Sequence, residues 1–186
     1  VPAADPIVNV RTAVPDAVLD VRYATARNFL GRAVYSCSAA FLKRSTAAKL
    51  SEAARALRAE RRRLVIYDAY RPLSVQKLLW AARPDSRFVA DPARGSAHNR
   101  GGAVDAGLAD MDGRALAMPS DFDEFGPRAA HGALGVPDAA RAEAERLKAA
   151  MTGAGFQALA EEWWHYQDAE SAAWPLLDLP FEGFPA

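Results

Sequence analysis

Cysteine occurs once in these 186 residues, at Cys37, and histidine only three times. A lone cysteine excludes an internal disulfide and any cysteine-rich zinc site, and it leaves the redox compartment open. Long apolar runs are missing too: no stretch reaches the ~20 residues of a membrane helix, so no membrane span is expected. Neither sign of charge is in excess, because 23 basic residues balance 23 acidic ones. No overall field therefore favours nucleic acid or an anionic membrane, and a small-molecule partner is the expectation. What is present is ordinary: 51% hydrophobic and 25% charged residues suit one domain, residues 1–186, with a single core. The chain opens on Val1 rather than Met, from which a periplasmic or secreted location after signal-peptide removal is expected, with the cytoplasm as the alternative. Oligomeric state is left open.

Along the chain, residues 1–22 mix prolines with short apolar pairs and read as an extended arm with an edge strand. Asn28 and Gly31 carry turn chemistry, and Ala33–Tyr35 reads as a strand. Residues 45–62 repeat apolar positions at Ala47, Leu50, Ala54 and Leu57, which predicts an amphipathic helix capped by Ser45. The arginines that close it suit a helix C-terminus and solvent better than nucleic acid. Leu64–Tyr67 is a short buried strand. Pro72 then opens a helix to about Ala82, so Arg71 falls at a strand-to-helix junction. A loop follows to Gly95, and Ala103–Ala109 is a strand. Met118–Pro127 is an acidic, aromatic loop, and Asp138 caps a second amphipathic helix to about Thr152. Phe156–Leu159 and Glu162–Tyr166 read as two strands of a hairpin, and residues 167–186 form an irregular tail. The order predicts an α+β domain with a central, mostly antiparallel sheet flanked by helices.

Two of the three histidines sit in the most distinctive patterns. In Ser96-Ala97-His98-Asn99-Arg100-Gly101-Gly102-Ala103-Val104-Asp105 a histidine and a carboxylate lie seven residues apart around two glycines. A helix would separate them by about 10.5 Å, whereas ligands of one zinc sit about 2.0–2.2 Å from the metal. A two-residue hairpin turn at Gly101-Gly102 would instead make His98 and Asp105 directly opposed partners. His165, in Glu162-Trp163-Trp164-His165, completes a set of two nitrogens and one carboxylate, which fits one catalytic Zn²⁺ with a position kept for water. Glu162 is three residues from His165; a regular strand would put the two on opposite faces, so a bulge or bend at Glu162 is required. His131 reads as a hydrogen-bonded structural residue.

These motifs resemble those of the zinc D-alanyl-D-alanine dipeptidases, a family related to zinc DD-carboxypeptidases, and the resemblance covers nearly the whole chain. It implies that His98, Asp105 and His165 are the zinc ligands and Glu162 the catalytic base. It implies that Arg71, in Tyr70-Arg71-Pro72, stabilises the tetrahedral intermediate. Tyr23, Ser96 and Asp123 match substrate-side positions, with Asp123 the counter-ion for the free ammonium of a dipeptide. Ser120 departs from the threonine expected ahead of Phe122-Asp123. Two other readings follow from the same motifs: a DD-carboxypeptidase acting on peptidoglycan stems, and a non-enzymatic Hedgehog-like zinc module that binds a partner. The latter has no use for a base at Glu162, and it would need a fourth protein ligand, for which His131 is the spare histidine.

Overall fold

The computed structural model describes residues 5–184; the first four residues of the expected arm and the last two of the tail lie outside them. In chain order the elements are β1 (Ile7–Asn9), α1 (Val10–Ala13), β2 (Val18–Leu19), β3 (Phe41–Lys43), α2 (Arg44–Ala59), β4 (Arg63–Asp68), α3 (Leu73–Ala82), β5 (Ala103–Ala109), α4 (Asp138–Gly153), β6 (Phe156–Ala158) and β7 (His165–Asp168). Five strands form one sheet in the order β2-β4-β5-β7-β6, and β1 and β3 form a separate antiparallel ribbon. Only the β2–β4 pairing is parallel, so the sheet is mixed and mostly antiparallel.

The central strands β4 and β5 are almost wholly buried, which is why they read as continuous apolar runs rather than as alternation. Helix α2 turns Ala47, Leu50, Ala54 and Leu57 inward, as the period predicts, and packs on α4 and on β4. Helix α4 lies against β5 and β6 through Ala140, Ala144, Leu147 and Met151. Tyr67 stacks on Phe122, and Trp163 and Trp164 pack edge to face beside them.

Several expectations are corrected. His98 and Asp105 are not opposed across a hairpin: His98–Arg100 is a 3-10 turn closed by Gly101 at φ 69°, and both edges of β5 are already occupied by β4 and β7. Gly101 supplies the left-handed backbone, while Gly102 supplies space, since a Cβ there would lie 2.4 Å from Ser171 Cβ. Ala33–Tyr35 is not a strand, because the N–H groups of Val34 and Tyr35 both donate to the Tyr23 carbonyl. Ser45 does not cap α2, which starts one residue earlier. Its N–H and hydroxyl donate instead to the Asp5 carboxylate. Asp138 lies in the first turn of α4, with extended Pro137 at the boundary. The arm contains the short helix α1 besides its strands. The tail begins after Asp168 and is tied down: Leu177 N–H donates to the Asn99 carbonyl, and Phe181 packs against Tyr35, Phe41 and Tyr70.

Candidate metal centre and active site

Strand register builds the centre of the site. Asp68 at the end of β4 pairs with Asp105 of β5, and Asp105 pairs in turn with His165 of β7. Three polar residues thus stand side by side across one end of the sheet. His98 reaches the same point from its 3-10 turn, which is held in place on several sides. Its carbonyl accepts from Arg71 N–H, and Gly101 O accepts from Lys43 N–H in the ribbon. Asn99, fully buried, donates through its amide to the Arg71 carbonyl and accepts from Ser96 N–H.

The ring protons can be assigned from their partners. His98 Nδ1 lies 2.7 Å from the Ala69 carbonyl, which can only accept, so Nδ1 carries the proton and Nε2 presents a lone pair. His165 Nε2 faces Gln167 Oε1 at 3.3 Å, which leaves the lone pair on Nδ1. Those two nitrogens are 3.2 Å apart, and each faces Asp105 Oδ1, at 3.3 Å and 3.0 Å. Three acceptors in a buried triangle repel one another unless a cation sits among them. Ligand atoms about 2.1 Å from a tetrahedral metal lie about 3.4 Å from each other, close to the spacings observed. The residues therefore fit a divalent metal. Burial would raise the Asp105 carboxyl, but the protonated forms of the His98 and His165 rings hold it below the usual carboxylate range.

Glu162 precedes β7 in the tight turn from β6, where its carbonyl accepts from His165 N–H. That is the bend the spacing called for, and it turns Glu162 and His165 into one cavity of about 290 Å³. Arg71, Asp105, Asp123, Ser96, Tyr23 and His98 line the same cavity, so the three candidate ligands and the five candidate catalytic and substrate-side residues meet there. Burial pushes the Glu162 carboxyl up to about 8, with His165 opposing and Asp105 and Asp123 reinforcing the shift. Asp123 is raised to about 7, again by burial first, against the hydrogen bond from Tyr23. The Tyr23 hydroxyl donates to Asp123 Oδ2 at 2.8 Å, and its ring lies under the Arg71 guanidinium. Asp123 holds φ 59°, a left-handed conformation that aspartate tolerates better than most residues. Ser96 Oγ accepts from His98 N–H at 3.0 Å.

The chain matches a family profile described as D-ala-D-ala dipeptidase across residues 3–185. The chain belongs to that family. It is 37% identical over 178 residues to the D-alanyl-D-alanine dipeptidase of Escherichia coli (strain K12), a match covering 96% of this chain and 92% of the relative. It is 31% identical to the D-alanyl-D-alanine dipeptidase of Enterococcus faecalis (strain ATCC 700802 / V583), over 87% of each chain. Membership makes it a metallopeptidase, and the His98, Asp105 and His165 cluster could hold the metal ion such an enzyme uses.

Other residues at this dipeptidase-family site escaped the sequence reading. Asp68 receives Arg71 Nε at 2.9 Å and Nη2 at 2.7 Å on one oxygen, Oδ2. Its other oxygen accepts from Tyr35 hydroxyl at 2.7 Å and from Ala69 N–H at 2.9 Å. Gln76 takes Arg71 Nη1 at 2.8 Å. Burial works against the Arg71 charge, but Asp68, Tyr23, Tyr35 and Asp105 together outweigh it, and its proton is held more tightly than usual. A carboxylate ending an otherwise apolar strand, three residues before an arginine, was the available signal for Asp68. His131 is not the hydrogen-bonded residue expected: it lies beside the Tyr166 ring outside the cavity, and its two ring nitrogens have no partner among the described residues. It is not placed to be a fourth ligand. Ser120 accepts from Trp163 Nε1 at 2.9 Å away from the cavity lining, so its departure from threonine does not reshape the pocket.

Proposed function

We propose that this protein hydrolyses D-alanyl-D-alanine to two molecules of D-alanine, with one Zn²⁺ held by His98, Asp105 and His165. The observation that carries the proposal is the converging triangle of lone pairs beside a buried carboxyl, Glu162, in a cavity small enough to enclose a small ligand. When bound, zinc lowers the pKa of water to about 7 and polarises a carbonyl.

The chain's own groups supply the rest. Glu162, whose burial raises its affinity for a proton, acts from its ionised form: it takes a proton from the attacking water and delivers it to the nitrogen leaving the broken C–N bond. Arg71 spends three of its five N–H groups on Asp68 and Gln76; the remaining two are free to stabilise the oxyanion. Asp123, held by Tyr23, pairs with the substrate's free ammonium. Ser96 keeps its hydroxyl proton for the substrate carboxylate, since its oxygen already accepts from His98 N–H. A reader of free ammonium in a cavity of this size favours a dipeptide over a peptidoglycan stem, and a base with an arginine beside an incomplete ligand set favours an enzyme over a zinc-binding interaction module.

Incubation with D-Ala-D-Ala, L-Ala-L-Ala and a pentapeptide stem, with and without a chelator, tests the reading. Chelator-sensitive release of D-alanine from the first substrate alone is expected. Cleavage of the pentapeptide at a comparable rate would move the chain to the carboxypeptidase reading, and inertness of the zinc-loaded protein toward all three would overturn the proposal.

A further inference from the structure

The first turn of α3 buries a side chain that apolar packing does not explain. Gln76 is wholly inaccessible to solvent, although its neighbours on the same helix face, Val75 and Leu79, are apolar. Its Oε1 accepts from Arg71 Nη1 at 2.8 Å, and its Nε2 donates to the Ala90 carbonyl at 2.7 Å. The amide cannot be reversed: a guanidinium has no acceptor and a carbonyl has no proton.

Asp68 alone does not fix the guanidinium. Both of its contacts, from Nε and from Nη2, fall on the single oxygen Oδ2, because Oδ1 is spent on Tyr35 and Ala69. Two donors on one oxygen form a pivot, about which a planar group can rock. Gln76 holds the third nitrogen and removes that freedom. It also ties the guanidinium to Ala90, which lines the cavity. The Nη2 group is then held 3.9 Å from Asp105 Oδ2, beside the metal ligands.

We propose that Gln76 is a positioning residue for hydrolysis, setting the angle at which Arg71 presents its two free N–H groups to the reacting carbonyl. This rests on the peptidase reading above. A small misplacement of a group that acts only in the transition state lowers kcat and leaves ground-state binding largely alone.

The test is a double-mutant cycle on the zinc-loaded enzyme with D-Ala-D-Ala as substrate. Gln76→Met, similar in length but without the two hydrogen bonds, is expected to lower kcat about tenfold with KM within about threefold and zinc content unchanged. In an Arg71→Ala background the same substitution is expected to change kcat by less than about twofold, because its effect runs through Arg71. Gln76→Glu keeps the oxygen facing Arg71 and, with its other oxygen protonated, can still donate to the Ala90 carbonyl; it is expected to retain kcat within about fivefold, which covers the case in which the Met variant does not fold. A Gln76→Met enzyme with unchanged kcat, a full additional loss in the Arg71→Ala background, or a Glu variant as impaired as Arg71→Ala would overturn the inference. Unchanged kcat in Arg71→Ala itself, or no cleavage by the unmodified enzyme, would instead overturn the peptidase reading beneath it.

Discussion

Acylating the amino group of the substrate bears directly on Asp123. A free ammonium gains a charge-assisted hydrogen bond from a buried carboxylate, worth about 1.5–3 kcal/mol. Burial raises Asp123 to about 7, so near neutral pH the carboxyl can take up a proton when no cation faces it. The penalty for an acylated substrate is therefore the lost hydrogen bond rather than the about 3–5 kcal/mol of a stranded buried charge. N-acetyl-D-Ala-D-Ala should be cleaved with a kcat/KM about 10- to 150-fold below that of D-Ala-D-Ala. The gap has a pH dependence of defined sign. Below the pKa of Asp123 the free dipeptide must displace a proton, and its kcat/KM falls about tenfold per unit through this group, whereas the acetylated substrate suits the protonated form. The ratio of the two constants should rise with pH through the Asp123 pKa, about 7 with no metal bound, and then level off. A dication at the neighbouring ligands moves this window to lower pH without changing its sign. Steady-state kinetics on both substrates from mildly acidic to neutral pH measures the ratio, and Asp123→Asn, which tolerates the left-handed backbone at this position, should flatten it. Equal rates on the two substrates, or a ratio insensitive to pH, would refute the assignment of Asp123.

His98→Ala and His165→Ala should each lose zinc and activity together, as metal analysis alongside the D-alanine assay would show; full zinc content in either variant removes that residue from the site. Glu162→Gln should keep zinc and lower kcat by about 10²–10⁴. It should also stabilise the metal-free protein at alkaline pH. The folded-state value of Glu162 is about 8 against an ordinary 4.5, so its stabilising contribution is complete below the lower value and is lost as pH rises through the upper one, at roughly 1.4 kcal/mol per unit. Thermal melts at pH about 9 and about 4.5 check this, and a parent protein more stable than the variant at the alkaline end contradicts it. Gly102→Ala should destabilise the fold by about 1–3 kcal/mol, since the added carbon would meet Ser171 at 2.4 Å; an unchanged Tm would mean that the tail yields freely there.

The cluster that could hold a metal was legible because histidine is scarce and both motifs are specific, yet the geometry joining its members was not. Seven residues and two glycines fit a hairpin equally well, and only the sheet order, which gives β5 two long-range neighbours, excludes it. The helices α2 and α4 followed from their periodicity. Their caps did not, since the carboxylate that meets the start of α2 is Asp5, forty residues from its partner Ser45. Gln76 was hidden for a similar reason: a glutamine near the start of a helix carries no mark of burial until Arg71 and Ala90 are folded around it. Arg71 was read correctly at a strand-to-helix junction, and Asp68 carried a local signal, but the Tyr35 hydroxyl that occupies the other Asp68 oxygen comes from 33 residues away, which local pattern does not encode.

The segment between β5 and α4 carries Asp123 and none of the metal ligands. It is held to the rest by Arg22, which donates to Asp20 at 2.9 Å and to Asp121 at 3.0 Å, and by Phe122 against Tyr67. The strands bearing Asp68, Asp105 and His165 are locked by their own ladder pairs. On the proposed assignments, hydrolytic chemistry and recognition of the amine thus reside on different parts of the chain, joined by Tyr23, which donates to Asp123 and lies under Arg71. Because Phe122 and Ser120 pack on Tyr67 and Trp163, they anchor the loop to the sheet, and Asp123, between the core ring and partly exposed Glu124, is the position at which substitution is expected to alter preference for the amino-terminal group while the sheet stays as it is.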